Sequence, residues 1–178
     1  AFINNSEEIV SEWTKKAEHF RVNKLESGTA ELDIPYGDSN RQKFDIFQPN
    51  TKPLGTVIFI HGGYWIDLDK SYWSHFASGV LANGYRCVIP SYGLCPTVKI
   101  SDITGQIKNL MCYVLEKYDG MISLVGHSAG GHLVSRMISI DQWNISKLRS
   151  DLLKRLHHVV AISPIADLRP LLKTSMNN

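Results

Sequence analysis

The stretch that most constrains this chain is Val125–Leu133, which reads Val-Gly-His-Ser-Ala-Gly-Gly-His-Leu. A short strand of buried type at 122–125 leads into it, and a helical pattern follows Ser128. A serine with glycines two positions before and after it, between a strand and a helix, is typical of a nucleophile elbow. Such a turn is tight and strained, so it leaves no room for side chains at the glycine positions. The pattern predicts that Ser128 is a nucleophile and that the backbone N–H of Ala129 helps to stabilise an oxyanion.

A second glycine motif follows an earlier strand of buried type. Residues 56–60 lead into His61-Gly62-Gly63-Tyr64-Trp65. Adjacent glycines let the backbone approach a substrate carbonyl closely, so Gly62, Gly63 and Tyr64 are candidates for the second oxyanion N–H. The alternative is an ordinary glycine turn flanked by a buried histidine and core aromatic residues. The pairing of this motif with the elbow favours the oxyanion interpretation.

The composition is that of an ordinary globular protein with one core. The chain has 178 residues, of which 43% are hydrophobic and 20% charged, and its formal net charge is +2. This balance predicts one domain over residues 1–178 and favours neither nucleic acid nor a membrane surface as a partner. Cys87, Cys95 and Cys112 lack the spacing of metal ligands, so we expect free thiols and a cytoplasmic location.

Strand and helix patterns alternate along the chain. The amino-terminal segment predicts an amphipathic helix with an apolar face made of Ile9, Trp13, Ala17 and Phe20. Two strands of alternating polarity at 30–34 and 43–47 predict an antiparallel hairpin of half-exposed strands. Continuously apolar strands are expected at 58–60, 86–90, 122–126 and 159–163, and helices at 72–82, 103–118, 129–140 and 144–156. The predicted fold class is therefore α/β, with a mixed sheet whose parallel centre is covered on both faces.

These motifs carry a resemblance to a known family. The chain resembles the first two-thirds of an α/β-hydrolase, and specifically it is similar to the kynurenine formamidase (arylformamidase) branch. In His61–Trp65, Tyr64 stands where lipase and esterase relatives usually have a third glycine. The segment Ser91–Pro96 is similar to a Tyr-Gly-x-x-Pro segment of that branch. The segments Ile34–Asp38 and Asp45–Pro49 resemble its amino-terminal hairpin, which implies a mostly parallel sheet with an antiparallel hairpin at its amino-terminal side.

The resemblance implies hydrolysis of N-formyl-L-kynurenine to kynurenine and formate, a step of tryptophan catabolism that requires no metal or organic cofactor. The partner is then a small aromatic formamide, and self-association as a homodimer is left open. The motifs and the resemblance together assign Ser128 as nucleophile, Gly62, Gly63 and Ala129 as oxyanion donors, and His61, Tyr64 and Trp65 as substrate-binding residues. An alternative for Tyr64 and Trp65 is that they pack beneath the loop without touching substrate.

The partners of a catalytic serine are harder to find in this chain. In this fold the acid and then the histidine follow the serine, on loops after later strands. The residues of these types after Ser128 are His132, His157, His158, Asp141, Asp151 and Asp167. His132 lies one turn into the elbow helix, the histidine pair opens a strand at the end of the sheet opposite to catalysis, and Asp167 follows the last strand. We expect none of them to complete a triad.

The last predicted strand points to the same gap. Residues 158–162 are as apolar as a central strand, yet here they would form an unprotected edge. We therefore expect this domain to be truncated before its last strands, so that the carboxyl-terminal part that supplies the acid and the base is missing. We also expect weak or no activity of the 178-residue chain alone. Two alternatives remain: a small-acyl carboxylesterase of the same fold, and a catalytically inactive hydrolase-like protein that binds a ligand or partner.

Overall fold

The computed structural model describes residues 6–139 and 146–174. Its strands are β1 (Ala30–Pro35), β2 (Lys43–Phe47), β3 (Gly55–Ile60), β4 (Arg86–Pro90), β5 (Met121–His127) and β6 (Leu156–Ile162). Its helices are α1 (Ser6–Glu26), α2 (Ala77–Ala82), α3 (Ile100–Lys117), α4 (Ala129–Met137) and α5 (Ser146–Arg155), with short 3-10 helices at Lys70–Phe76 and Arg169–Lys173. Within the described ranges, no helix is both long enough and apolar enough to cross a membrane.

The strands form one sheet in the order β1-β2-β4-β3-β5-β6. The pairs β4–β3, β3–β5 and β5–β6 are parallel, whereas β2 runs antiparallel to both β1 and β4. This arrangement confirms the predicted mixed sheet with a parallel centre and an antiparallel amino-terminal hairpin. Since parallel strands end at the same edge, the segments that follow β3, β5 and β6 all emerge together.

Helices cover the sheet on both faces, and each face has its own core. On one face, Trp13 and Phe20 of α1 place their rings 5.2 Å from Trp73 and 5.3 Å from Phe47. Buried side chains of α3 and α4 pack on the opposite face. The predicted apolar face of α1 is confirmed from Trp13 to Phe20, but Ile9 is 43% exposed, because α1 extends past the residues it packs against.

The prediction of half-exposed hairpin strands is wrong for β2. Residues 44–47 are all buried, because β2 lies inside the sheet between β1 and β4 with a core on each face. The carboxylate of Asp45 is consequently buried and needs partners. The ammonium of Lys70 lies 2.8 Å from it, and the backbone N–H of Asp33 donates to it at 3.0 Å. Burial raises the pKa of Asp45, and the ion pair with Lys70 opposes that shift.

The four helices predicted after residue 70 all differ at their boundaries, and the one expected at 103–118 is α3, Ile100–Lys117. The helix expected at 72–82 is a 3-10 helix followed by α2. Arg21 donates to the carbonyl of Ser71, which in a continuous α-helix would accept a backbone N–H four residues later. The helix expected at 129–140 ends at Met137, and residue 140 lies outside the described residues. For the helix expected at 144–156, the structure describes 146–155, and residue 144 lies outside the described residues.

Strand β6 forms an apolar edge. In the described part of the chain it pairs with β5 alone, and Val160 and Ile162 are 45% and 47% exposed. Natural edge strands usually carry charges, proline or a covering segment that prevents further pairing. Strand β6 is therefore the unprotected edge strand that the apolar run at 158–162 predicts.

The turn between β5 and α4 is packed against the end of β3 so closely that only glycine fits. A Cβ atom on Gly130 would lie 2.0 Å from the carbonyl oxygen of Ile60, and one on Gly126 would lie 2.1 Å from that of Gly130. Real Cβ contacts are never this short, so the backbone would have to move. Gly130 is thus required by the contact between α4 and β3, and Gly126 by the close approach of β5 and α4 within the turn itself.

We expect Gly130→Ala to destabilise the protein by roughly 3 kcal/mol, because α4 must shift away from β3. The matched control is Gly105→Ala in the middle of α3, where a Cβ meets no atom within 4 Å. That substitution should stabilise the protein by about 0.5 to 1 kcal/mol through helix propensity. Urea denaturation of both variants measures the two effects, and equal stabilities of the two variants would contradict the packing argument.

Candidate active site

Ser128 occupies the turn between β5 and α4 in a strained backbone conformation. Its φ and ψ angles are 55° and −114°, outside the regions that side-chain-bearing residues normally adopt. The Ser128 N–H donates to the carbonyl of Ile162 at 2.9 Å, and its carbonyl accepts from the N–H of His132 at 3.1 Å. The side chain is half-buried at the carboxyl end of the sheet. The predicted strand-turn-helix conformation is therefore present, and it fixes the serine between β6 and α4.

The segment that follows β3, residues 61–68, lies directly against this turn and is called the β3 loop below. A Cβ atom on Gly62 would lie 3.1 Å from the Cβ atom of Ser128 and 3.0 Å from the carbonyl oxygen of His127. The backbone of Gly62 can approach the serine only because it carries no side chain. The two glycine motifs found in the sequence thus meet at one point.

The β3 loop is tightly wound. Gly63, Tyr64, Trp65 and Leu68 all have positive φ angles, of 108°, 50°, 61° and 68°. The carbonyl of Gly63 accepts hydrogen bonds from the next turn, from Ile66 N–H at 2.9 Å and Asp67 N–H at 3.1 Å. Among the described residues, nothing accepts a hydrogen bond from the amides of Gly62 and Gly63. Two amides beside the serine are therefore available to a ligand.

His61 does not bind substrate through its side chain, contrary to the sequence assignment. The ring is fully buried and stacks on Tyr92, with ring centroids 4.3 Å apart. Its Nδ1 lies 2.6 Å from the carbonyl oxygen of Gly62, which can only accept, so Nδ1 carries the proton. Burial lowers the pKa of His61 to about 4, and the nearby guanidinium of Arg41 adds to the decrease. His61 is a neutral scaffold residue beneath the β3 loop.

Tyr64 and Trp65 have opposite environments. Trp65 is 1% exposed, and its ring meets that of His132 edge to face at 5.3 Å. The backbone carbonyl of Trp65 also accepts from Cys95 N–H at 2.8 Å. The assignment of Trp65 to substrate binding is therefore wrong for its side chain, which packs beneath the loop as the alternative stated. Tyr64 is 50% exposed at the same end of the sheet and remains a candidate for substrate contact.

Sequence reasoning missed two residues that hold the β3 loop. The hydroxyl of Tyr92 donates to the carbonyls of His61, at 2.9 Å, and Gly62, at 3.3 Å. Arg41 donates through Nε to the carbonyl of Tyr92 at 2.7 Å and through Nη2 to that of Leu68 at 2.6 Å. The Tyr-Gly-x-x-Pro segment drew attention to Tyr92 without indicating a role. Arg41 lies in a polar turn, where the sequence gives no signal.

The structure does not bring the candidate acids and histidines to Ser128. His157 and His158 are exposed at the amino end of β6, with their rings 4.0 Å apart. Asp167 forms an exposed ion pair with Arg169 at 2.7 Å, and Asp151 lies on α5. His132 packs on Trp65, and Asp141 lies outside the described residues. In the ranges 6–139 and 146–174, no side chain hydrogen-bonds to the Ser128 hydroxyl.

Comparison with known families decides the family. The model of the BD-FAE family matches residues 44–178, which is more than half of the chain. The chain belongs to the BD-FAE family. The match contains all but the first residue of β2, strands β3 to β6, the β3 loop and the turn at Ser128.

Known proteins similar to this BD-FAE chain are hydrolases. The kynurenine formamidase of Danio rerio is 29% identical over 168 residues, which cover 88% of this chain and 56% of that protein. A protein from Silicibacter sp. TM1040, for which thioesterase activity is proposed, has a crystal structure that superposes with a TM-score of 0.91 at 45% sequence identity. The superposition covers 99% of this chain and 65% of the Silicibacter chain. Esterase B from Lactobacillus rhamnosis, in a tributyrin phosphonate complex, has a TM-score of 0.65 at 20% identity over 97% of this chain and 63% of its own.

Two conclusions follow from these comparisons. The fold of this BD-FAE chain is the α/β-hydrolase fold, which confirms the sequence prediction. The chain spans about half the length of the curated kynurenine formamidases that it matches, 56% of the one from Danio rerio.

The burial of His61 predicts a pH dependence of stability. Its pKa is about 4 in the folded protein against 6.5 for the ordinary group, so the unfolded chain binds more protons between these values. The stability that the protein gains by burying His61 in its neutral form is complete above about pH 6.5 and is lost as the pH falls towards 4. This loss lowers the free energy of unfolding by about 3 kcal/mol. Urea denaturation across this range should show a shallower decrease in His61→Asn. Burial also lowers the pKa of His75 and His132, which contribute to the slope in the same direction. A slope unchanged by His61→Asn would contradict the prediction.

Proposed function

We propose that the protein is a serine hydrolase that cleaves the formamide of N-formyl-L-kynurenine, giving kynurenine and formate, with Ser128 as the nucleophile. The observation that carries this proposal is the strained turn at Ser128 with the backbone of Gly62 packed against it. A serine held in this conformation next to unpaired amides suits attack on a carbonyl group. Similarity to kynurenine formamidases over 88% of the chain supports the choice of substrate.

The chemistry assigns a role to each part of the site. The Ser128 hydroxyl oxygen attacks the formyl carbon, its proton passes to a base, and the carbonyl electrons move onto oxygen. The amides of Gly62, Gly63 and Ala129 donate to that oxyanion. The carbon–nitrogen bond then breaks, and the aromatic amine leaves with a proton. Water hydrolyses the formyl ester of Ser128 and releases formate, which regenerates the serine.

The base and the acid are proposed to lie outside the described residues. Within those residues no histidine hydrogen-bonds to Ser128, and a triad serine without its base retains only modest catalysis from binding and the oxyanion donors. Activity is therefore proposed for the full-length native protein, in which these two groups would come from further polypeptide. The exposed edge of β6 next to Ser128 is compatible with such an addition.

Tyr64 is proposed to contact the aromatic part of the substrate. Its ring is exposed, and it follows directly after the two unpaired amides of the β3 loop. An aromatic ring placed there can stack on an aniline leaving group, which contributes about 0.5 to 1.5 kcal/mol. The formyl group itself is small, so the acyl side of the site needs little space.

Ser128→Ala in the full-length native protein should lower kcat at least about 1,000-fold, because the covalent route is lost. The matched control is Ser135→Ala on the same helix, an exposed serine whose hydroxyl donates to the carbonyl of Gly131. That variant should keep the wild-type rate. Hydrolysis of N-formyl-L-kynurenine, followed by absorbance, measures both. A Ser128→Ala protein that retains the rate would refute the serine mechanism.

Tyr64→Ala should raise KM for aryl formamides about three- to tenfold through the lost stacking energy, and it should leave the KM of a small aliphatic ester unchanged. Tyr64→Phe keeps the ring and serves as the control with wild-type KM. Steady-state kinetics on both substrates tests this assignment. An equal change of KM for the two substrates would contradict this assignment, because it would mean that Tyr64 acts by shaping the loop and not by contacting the aryl group.

A second candidate is hydrolysis of a small-acyl ester or thioester. It is favoured by the 45% identity to the Silicibacter protein for which thioesterase activity is proposed. The ratio of kcat/KM for N-formyl-L-kynurenine to that for nitrophenyl acetate and for an acetyl thioester separates the candidates. Ser128→Ala must abolish all three rates if either candidate is correct.

A further inference from the structure

The two amides assigned as oxyanion donors belong to two successive peptide groups. One joins the carbonyl of His61 to the N–H of Gly62, and the next joins the carbonyl of Gly62 to the N–H of Gly63. A trans peptide group is planar, so its C=O and N–H point in opposite directions. Whatever holds the carbonyl of such a group also fixes the direction in which its N–H points.

One side chain holds both carbonyls. The hydroxyl of Tyr92 lies 2.9 Å from the carbonyl oxygen of His61 and 3.3 Å from that of Gly62. Tyr92 is fully buried, and burial raises its pKa, so the hydroxyl keeps its proton and acts as a donor. The imidazole Nδ1–H of His61 donates to the same carbonyl of Gly62 at 2.6 Å. Hydrogen bonds to a carbonyl also polarise its peptide group, which strengthens the N–H on the other side as a donor.

The loop needs such support. Three side-chain-bearing residues of the β3 loop, Tyr64, Trp65 and Leu68, have positive φ angles, and each costs of order 1 to 2 kcal/mol. Arg41 joins the loop to the Tyr92 backbone, since its guanidinium bonds the carbonyls of both Leu68 and Tyr92. Arg41 lies in the turn between β1 and β2. It therefore fixes the strained loop relative to Tyr92, the residue that holds the first two carbonyls of that loop.

We infer that Tyr92, supported by Arg41, is a positioning residue that aims the Gly62 and Gly63 amides at the oxyanion formed on Ser128, an inference that rests on the proposed function. Tyr92 touches no reacting atom. Its hydroxyl sets the orientation of the donors, so its loss affects the transition state more than substrate binding.

Tyr92→Phe in the full-length native protein tests this with a single atom removed. We expect kcat to fall about tenfold with KM little changed, and the inhibition constant of phenylboronic acid to rise by a similar factor, because the tetrahedral adduct places an oxygen at the same amides. Tyr36→Phe is the matched control. Tyr36 is also a buried tyrosine whose hydroxyl donates to one backbone carbonyl, that of Ser91 at 2.6 Å, and it makes no bond to the β3 loop. It should keep the wild-type kcat while losing a comparable amount of thermal stability.

A second pair of variants tests the support from Arg41. Arg41→Lys keeps the charge but loses the fork that spans two carbonyls, and kcat should fall by several-fold. Arg155→Lys is its control, because Arg155 also clamps backbone carbonyls, those of Leu115, Tyr118 and Gly120, at the opposite end of the sheet. That variant should retain kcat.

The outcomes separate this inference from the proposed function. If Ser128→Ala is inactive and Tyr92→Phe lowers kcat while Tyr36→Phe does not, the positioning role is supported. If Ser128→Ala is inactive but Tyr92→Phe keeps wild-type kcat, or loses it only as much as Tyr36→Phe, the positioning role is refuted and the serine mechanism stands. If Ser128→Ala is as active as the wild type, the proposed function itself fails.

Discussion

The parallel pairing of β3 with β5 is the constraint on which the candidate site depends. The register places Ile60 opposite Gly126, so both strands end at the same level of the sheet. The β3 loop and the turn at Ser128 then emerge side by side, although about 65 residues separate them in the chain. Because Gly62 and Gly130 carry no side chains, the two segments can touch through their backbones. Without this register, the two glycine motifs would be unrelated turns.

Strain at the site is balanced by a network beneath it. Ser128 and three side-chain-bearing residues of the β3 loop occupy the left-handed region, which an isolated chain would leave. Their neighbours prevent relaxation: Tyr92 and His61 hold the first carbonyls, and the carbonyl of Trp65 is bonded by Cys95. Hydrogen bonds therefore hold the backbone on both sides of the solvent-exposed Tyr64.

The hairpin contributes more to this network than a sheet edge normally would. Asp45 is buried in β2 and pairs with Lys70, which begins the 3-10 helix just after the β3 loop. Lys70 also reaches Asp33 on β1 at 3.0 Å. A buried charge left without its partner is costly, so this pair fixes where the chain leaves the β3 loop. Together with Arg41, the ion pair of Asp45 and Lys70 connects β1 and β2 to the β3 loop.

The sequence by itself determined the parts of this protein that depend on local steric rules. Glycine spacing around Ser128 specifies the turn, continuous apolar runs specify buried strands, and their alternation with helices specifies an α/β sheet, because each pattern is tied to backbone geometry within a few residues. The chemical identity of Ser128, Gly62, Gly63 and Tyr64 as site candidates came from the same patterns. Only the tertiary structure decided that β2 is buried and that the side chains of His61 and Trp65 point beneath the backbone of the β3 loop. It also decided that Tyr92 and Arg41 hold this loop. These outcomes depend on strand order and on contacts between distant segments, such as the hydrogen bond between Arg41 and Tyr92, which are 51 residues apart, and no local pattern encodes them.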